Sequence, residues 1–252
     1  MRIASLGSGS KGNGTLIETD KVCLLLDLGF SIKETIRRLE RLGRSPLDLT
    51  AILVSHEHAD HINGVGQFSR KFKLPVYMTP GTYNPSRIGL LEALHKVNCH
   101  RNFTLGDIQI EPVPVPHDAR EPCQYIFCHN NLRVGVLTDL GHITPFVIER
   151  YRECDLILLE CNYDQQMLAS GPYPQALKNR IGGNLGHLCN DQAAELVGQL
   201  DLARLKYLVV SHISEKNNLP ELALDSLKSV LTGWQGNLLV SDQSRGLSWI
   251  TL

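Results

Sequence analysis

The 252-residue sequence predicts an α/β protein with two sheets, each covered by helices. Three observations carry that expectation. Short apolar, β-branched-rich runs alternate with amphipathic runs along the chain. The strand-like runs fall in two clusters. No linker, low-complexity segment or internal repeat divides them, so residues 1–252 read as one domain.

Taken in order, residues 2–6, 15–19 and 22–26 read as strands, and Leu24, Leu25 and Leu26 form the continuous apolar run of a strand covered on both faces. Ser31 caps a helix running to about Leu42, with Glu34 at the capping-box position and Gly43 ending it. Ile36, Leu39 and Leu42 share one helical face. Residues 51–55 form a buried strand that runs into a histidine-rich turn. A helix at 64–72 and a strand at 75–78 come next, and 79–102 is mixed and partly helical. Strands at 108–115, 124–128 and 133–137 are joined by turns, with Asn130-Asn131 as a hairpin turn. The remainder reads as strand 156–160, helix 191–200, strand 207–211, helix 220–231 and closing strands 237–241 and 247–250.

Composition narrows the function. Lys plus Arg is 25 against 26 Asp plus Glu, a net charge of −1, so bulk positive charge does not hold a nucleic acid here, although a local site can. The N-terminus lacks the apolar stretch of a signal peptide, and no window approaches a membrane span, which predicts a soluble cytoplasmic protein with no membrane role. Seven cysteines without a CxxC pair point to reduced, mostly core thiols.

The ten histidines decide the rest. Ser55-His56-Glu57-His58-Ala59-Asp60-His61 comes directly after a strand and forms an HxHxDH pattern. Alternation in an extended segment puts His56 and His58 on one side, and Asp60 and His61 turn toward a neighbouring position. Imidazole nitrogen and carboxylate oxygen suit zinc best, and manganese or iron acceptably. Partners lie after other apolar strands: His117 follows EPVPVP, Asp139 follows RVGVLT and His212 follows KYLVVS. His95, His100 and His129 have no such placement.

These residues, with Asp27 closing LLLDLG, stand in the motif order of the metallo-β-lactamase superfamily, which the sequence resembles over nearly its whole length. The resemblance implies an αββα four-layer sandwich with a site for two divalent metal ions per chain at one edge. It implies His56, His58 and His117 on the first metal, Asp60, His61 and His212 on the second, Asp139 bridging, and Asp27 orienting the histidine turn. Gly7-Ser8-Gly9-Ser10-Lys11-Gly12-Asn13, Gly186-His187-Leu188-Cys189-Asn190 and the final-histidine segment through Asn217 and Asn218 resemble one branch, the YycJ/WalJ-type DNA exonucleases and related phosphodiesterases. Cys189 stands where that branch has Ser, and His142 where an aromatic is expected.

Two divalent cations against Asp60, Asp139 and a bridging hydroxide leave a site near +1, attractive to a phosphodiester. The expected chemistry is attack by the bridging hydroxide, with Asp60 and His187 as catalytic candidates and His187 protonating the leaving oxygen. Ser8, Ser10, Asn13, His187, Asn217 and Asn218 are candidates for holding phosphate, the opening Gly/Ser loop acting as an anion nest. A DNA exonuclease leads. A cyclic or small-molecule phosphodiesterase, a glyoxalase-like thiolester hydrolase and a non-enzymatic metal or redox sensor are the alternatives.

Overall fold

The computed structural model describes every residue from Met1 to Leu252. The chain opens with strands β1 (Arg2–Gly7), β2 (Gly14–Glu18) and β3 (Cys23–Leu26), then helix α1 (Ile32–Arg41) and strand β4 (Ala51–Leu53). A one-turn helix α2 (Ala59–Ile62) and helix α3 (Val65–Phe72) lead to β5 (Pro75–Met78), α4 (Pro85–Ile88) and β6 (Ala93–Lys96). Four strands come next: β7 (Phe103–Leu105), β8 (Ile108–Pro114), β9 (Cys123–His129) and β10 (Leu132–Leu137). Then come α5 (Pro145–Tyr151), β11 (Leu156–Glu160), α6 (Gln165–Ser170), α7 (Gln175–Ile181) and α8 (Asn190–Val197). Strand β12 (Tyr207–Ser211), helix α9 (Pro220–Val230) and strands β13 (Asn237–Val240) and β14 (Leu247–Thr251) complete the chain. No helix is long and apolar enough to cross a membrane. All seven cysteines are free thiols.

The residues divide into two compact units, the first comprising Met1–Pro114, Ala119–Asn131 and Asp242–Leu252, the second Val115–Asp118 and Leu132–Ser241. In the first unit a sheet runs β14-β1-β2-β3-β4-β5-β6. Its pairs are antiparallel up to β3 and parallel from β3 onward. The register Leu26↔Leu53 brings the carboxyl ends of β3 and β4 side by side. Asp27 and the histidine turn, which continue from those two strand ends, are therefore delivered to one edge, where ligands of parallel sheets gather. Strand β3 is buried along its whole length, as its unbroken apolar run requires. The core beneath includes Leu25, Ile52, Val54, Phe68 and Val76. Strands β7, β8 and β9, also in this unit, pair antiparallel.

Helix α1 is explained by its sequence. Ser31 Oγ accepts the Glu34 N–H at 3.3 Å, and Leu39 is buried with Ile36 and Leu42 packed beside it. The Glu34 side chain, expected to complete the capping box, turns instead to the guanidinium groups of Arg37 and Arg38. Arg44 N–H bonds back to the Leu39 carbonyl and Gly43 N–H to that of Glu40, a pattern that needs the left-handed conformation Gly43 adopts at φ 68°.

In the second unit β10, β11, β12 and β13 are parallel. Leu137 pairs with Leu159 and Glu160 with Ser211, so Asp139, Glu160 and His212 all emerge at the carboxyl edge. Every residue of β11 is buried.

Several elements differ from expectation. The stretch read as mixed and partly helical holds the short α4 and strand β6, whose residues are mostly half-buried or exposed and so lack a strong apolar pattern. Helices α5, α6 and α7 were not anticipated; α5 and α6 bury two and one residues and α7 none, which leaves little periodicity to read. The segment Ala59–Ile62, expected as a turn, is one helical turn.

Two glycines separate backbone conformation from close packing. A Cβ on Gly43 would meet nothing within 4 Å, so Gly43→Ala is predicted to cost about 1 kcal/mol from its left-handed φ alone. A Cβ on Gly29 would lie 1.8 Å from the Asp60 carbonyl oxygen, so Gly29→Ala is predicted to cost about 1–3 kcal/mol or more by displacing that backbone. Urea midpoints check both, and equal shifts would contradict the distinction.

Candidate metal centre

The first unit gathers His56, His58, Asp60 and His61 around Asp27. The ring centroids of His56 and His58 lie 4.6 Å apart, and those of His56 and His61 4.1 Å. Asp27 is buried at φ 61° in the left-handed region, which Asp tolerates better than most residues. Its backbone N–H donates to Leu53, while its carboxylate accepts from Ser55 N–H at 2.8 Å, from Ser55 Oγ at 2.9 Å and from His61 Nδ1 at 2.8 Å. These contacts fix the tautomers. A carboxylate only accepts, so His61 carries its proton on Nδ1. Ser55 gives its single hydroxyl proton to Asp27, so the 3.0 Å contact between Ser55 Oγ and His56 Nδ1 is donated by the imidazole. Both rings thereby present Nε2 as a lone-pair donor, the arrangement that metal-bound histidines adopt.

Loop contacts hold this turn in place. Leu28 N–H donates to the His61 carbonyl, Gly64 N–H to that of Leu28, and Asn13 N–H to that of Asp60. The Asn13 side-chain amide faces His61 Nε2 at 3.0 Å and Asp60 Oδ2 at 3.3 Å. The opening Gly/Ser loop does not form the expected nest of free amides. The N–H groups of Gly7, Gly9, Lys11 and Gly12 are taken by Ser5 Oγ, Asn13 Oδ1, Gln243 Oε1 and the Gly9 carbonyl. Ser8 is buried and Ser10 is exposed.

The second unit holds His117, Asp139, His187 and His212. Asp139, His187 and His212 share a cluster with Glu160, their ligand-type atoms within 4.8 Å of one another. His117 Nε2 lies 4.0 Å from Asp139 Oδ1. His117 Nδ1 donates to the Gly186 carbonyl at 3.0 Å, which again turns Nε2 into the donor for a cation. Asp139 and His212 adopt φ 56° and 54°, as Asp27 does after its own strand.

Glu160 was missed from the sequence, and it organises this half. Wholly buried, it accepts from His187 Nδ1 and His212 Nδ1, both at 2.8 Å, and from the backbone N–H groups of Asp139, Leu140 and Leu188. Burying a carboxylate costs several kcal/mol. Each bond to a charged acceptor contributes about 1.5–3 kcal/mol, so this many donors outweigh the cost. Burial raises its pKa, but His187 and His212 bring the net value down to about 2. Burial opposes charge on His187 too, yet Glu160 raises its pKa above the ordinary histidine value. The signal for Glu160 was present: a carboxylate ending an otherwise apolar strand, as Asp27 follows one.

Of the remaining candidates, Asn217 is buried, its N–H bonded to Ser214 Oγ. Asn218 is buried with its amide on the Cys161 carbonyl and the Asn190 side chain. Cys189 caps α8, accepting from Gln192 N–H, and His142 Nδ1 donates to the Asn184 carbonyl. The donor chemistry of both halves fits a divalent metal: imidazoles held by Nδ1, with Nε2 as the lone-pair donor, near carboxylates.

The model of the β-lactamase superfamily domain matches residues 23–213. An exodeoxyribonuclease YycJ of Bacillus anthracis is 34% identical over 239 residues, covering 92% of this chain and 89% of that protein. An exodeoxyribonuclease WalJ of Streptococcus pneumoniae is 38% identical over 224 residues, covering 86% and 83%. Among solved structures, the metallo-β-lactamase fold protein YhfI of Bacillus subtilis superposes with a TM-score of 0.74 at 16% identity over 99% of both chains. The fold is thus the α/β sandwich that the sequence predicts, and the non-enzymatic sensor alternative is set aside. The chain belongs to the metallo-β-lactamase superfamily of metal-dependent hydrolases, among its YycJ/WalJ-type members.

Proposed function

We propose that this protein is a dinuclear metal-dependent phosphodiesterase that acts as an exonuclease on DNA. The observation that carries the reading is the pair of buried carboxylates, Asp27 and Glu160, which hold His61 and His212 by Nδ1 and leave Nε2 as the lone-pair donor. The named activity of the YycJ and WalJ relatives supports DNA as substrate.

In this reading His56, His58 and His117 hold one divalent ion, Asp60, His61 and His212 hold a second, and Asp139 serves both. Zinc suits the nitrogen-rich set best, with manganese or iron acceptable. When bound, the ions would supply a nucleophile at neutral pH and offset negative charge building on phosphorus.

The chain's own residues do the rest. Ser55 and Asp27 keep His56 and His61 in one tautomer, and the Gly186 carbonyl does so for His117. Glu160 performs the same service for His212 and also holds a proton on His187 Nδ1. The His187 side chain is 22% exposed, so its outer nitrogen can reach a leaving sugar oxygen and donate a proton to it. Among the phosphate-holding candidates, exposure favours Ser10 and His187. Ser8, Asn13, Asn217 and Asn218 are buried. Asn13 then serves as a support for Asp60 and His61, and Asn218 as a brace between β11 and α8.

Metal analysis of metal-replete protein is predicted to give close to two divalent ions per chain, and Asp60→Ala about one or fewer; a value near zero for the wild type would sink the proposal. His187→Ala is predicted to keep its metals and lose about 10²–10⁴-fold in kcat on a 5′-labelled oligonucleotide. A panel of single- and double-stranded DNA, RNA, a cyclic nucleotide and a thiolester identifies the substrate class. DNA is expected to turn over fastest, and turnover of the thiolester alone would contradict the phosphodiesterase reading.

A further inference from the structure

The histidine turn holds one side chain that the chemistry above leaves unused. Glu57 lies between two proposed ligands, His56 and His58, and is 9% exposed. Its Oε1 accepts the Arg120 backbone N–H at 2.9 Å, and its carbonyl accepts Arg87 Nη1 at 2.7 Å. Its Oε2 is buried without a hydrogen-bond partner. An unsatisfied carboxylate oxygen is costly to bury and needs an account.

Both arginines are brought here by loops that are themselves tied together. Thr79 Oγ1 donates to the Glu121 carbonyl at 2.9 Å, and Gly81 N–H to Glu121 Oε2 at 2.6 Å. Asn84 Oδ1 accepts Ser86 N–H at 3.1 Å and starts the helical turn that carries Arg87. Glu57, the segment 79–88 and residues 120–121 are thus tied together by hydrogen bonds next to the histidine turn. Arg87 and Arg120 are both exposed. A guanidinium has five donors, and Arg87 uses one of them on Glu57. Arg120 is anchored through its backbone, which leaves its whole guanidinium for other work.

A nuclease with a net charge of −1 needs its positive charge placed locally. We propose that Arg87 and Arg120 form a clamp for the phosphates next to the scissile one, on a nucleic-acid strand entering beside the metal turn. Glu57 is the positioning residue: its backbone carbonyl holds the Arg87 guanidinium and its carboxylate Oε1 holds the Arg120 backbone, so both residues are tied to the turn. The inference rests on the nuclease reading. Guanidinium groups pair with phosphate bidentately, so the clamp would contribute to binding the strand rather than to the bond-breaking step.

The test is the salt dependence of cleavage of a 5′-labelled single-stranded DNA oligonucleotide by the full-length metal-loaded protein. Arg120→Ala keeps the backbone bond to Glu57, so it tests charge without loosening the turn. It is expected to raise KM about fivefold to tenfold at low salt, to lower the slope of log(kcat/KM) against log[salt] by about 0.7, and to leave kcat at saturation within about twofold. Arg87→Ala should behave alike, the double variant should lose both increments, and lysine at either position should restore most of the slope. An unchanged KM and slope in Arg120→Ala and Arg87→Ala, with a wild type that degrades the oligonucleotide, would overturn the clamp and leave the nuclease reading standing. A wild type that hydrolyses a cyclic nucleotide but no oligonucleotide would remove the nuclease reading and the clamp together.

Discussion

The structure turns on buried carboxylates that dictate which nitrogen of a histidine carries the proton. Asp27 and Glu160 each sit buried at the carboxyl end of a fully buried strand. Their only recourse is to collect N–H and O–H donors, and the donors at hand are imidazole Nδ1 atoms and strand-end amides. Once Nδ1 is committed, Nε2 becomes the lone-pair donor, and each unit sets such a nitrogen near a carboxylate, His61 near Asp60 in the first and His117 near Asp139 in the second, a donor set that suits a divalent cation. Removing either carboxylate would strand its donors as well as free the rings, a loss of about 3–5 kcal/mol for a buried charged pair.

Parallel pairing explains how each unit collects its own groups. The register between β3 and β4 sets Asp27 against Ser55, and that between β10, β11 and β12 sets Asp139, Glu160 and His212 on one edge. Three of the edge residues, Asp27, Asp139 and His212, adopt left-handed backbone conformations. Such conformations for residues other than glycine concentrate at functional sites, because only a well-braced surrounding holds them. Here the bracing is visible, in the amide of Asp139 on Glu160 and the carboxylate of Asp27 on Ser55 and His61.

Much of this was legible in the sequence. Strands β5, β11 and β12 begin and end where their apolar runs do, and α1 starts and stops at Ser31 and Gly43 as capping chemistry requires. The histidine turn announced itself through spacing. Glu160 did not, because a lone acid at a strand end looks like the start of a loop until two rings turn toward it. Helix α5 carried a readable start in Thr144-Pro145, yet only Val147 and Tyr151 of it are buried, too few to show a period. The expected amide nest fails because the N–H groups of Gly7, Gly9 and Gly12 are taken within the loop, by Ser5, Asn13 and the Gly9 carbonyl, and that of Lys11 by Gln243, a partner far along the chain that no local pattern contains. The same holds for Glu57, whose surroundings come from loops distant in sequence.

Hydrogen bonds from Nδ1 to Ser55, Asp27, Glu160 and the Gly186 carbonyl turn Nε2 of His56, His61, His212 and His117 into the atom offered to a metal. Anomalous diffraction from crystals of the metal-replete protein, collected at the absorption edge of the bound metal, tests it most directly. Two peaks per chain are expected, with His56, His58 and His117 at one and His61 and His212 at the other, and with His56, His117, His61 and His212 ligating through Nε2 at about 2.0–2.1 Å. A single peak, no peak, or ligation through the Nδ1 atoms bonded to Asp27 and Glu160 would contradict it.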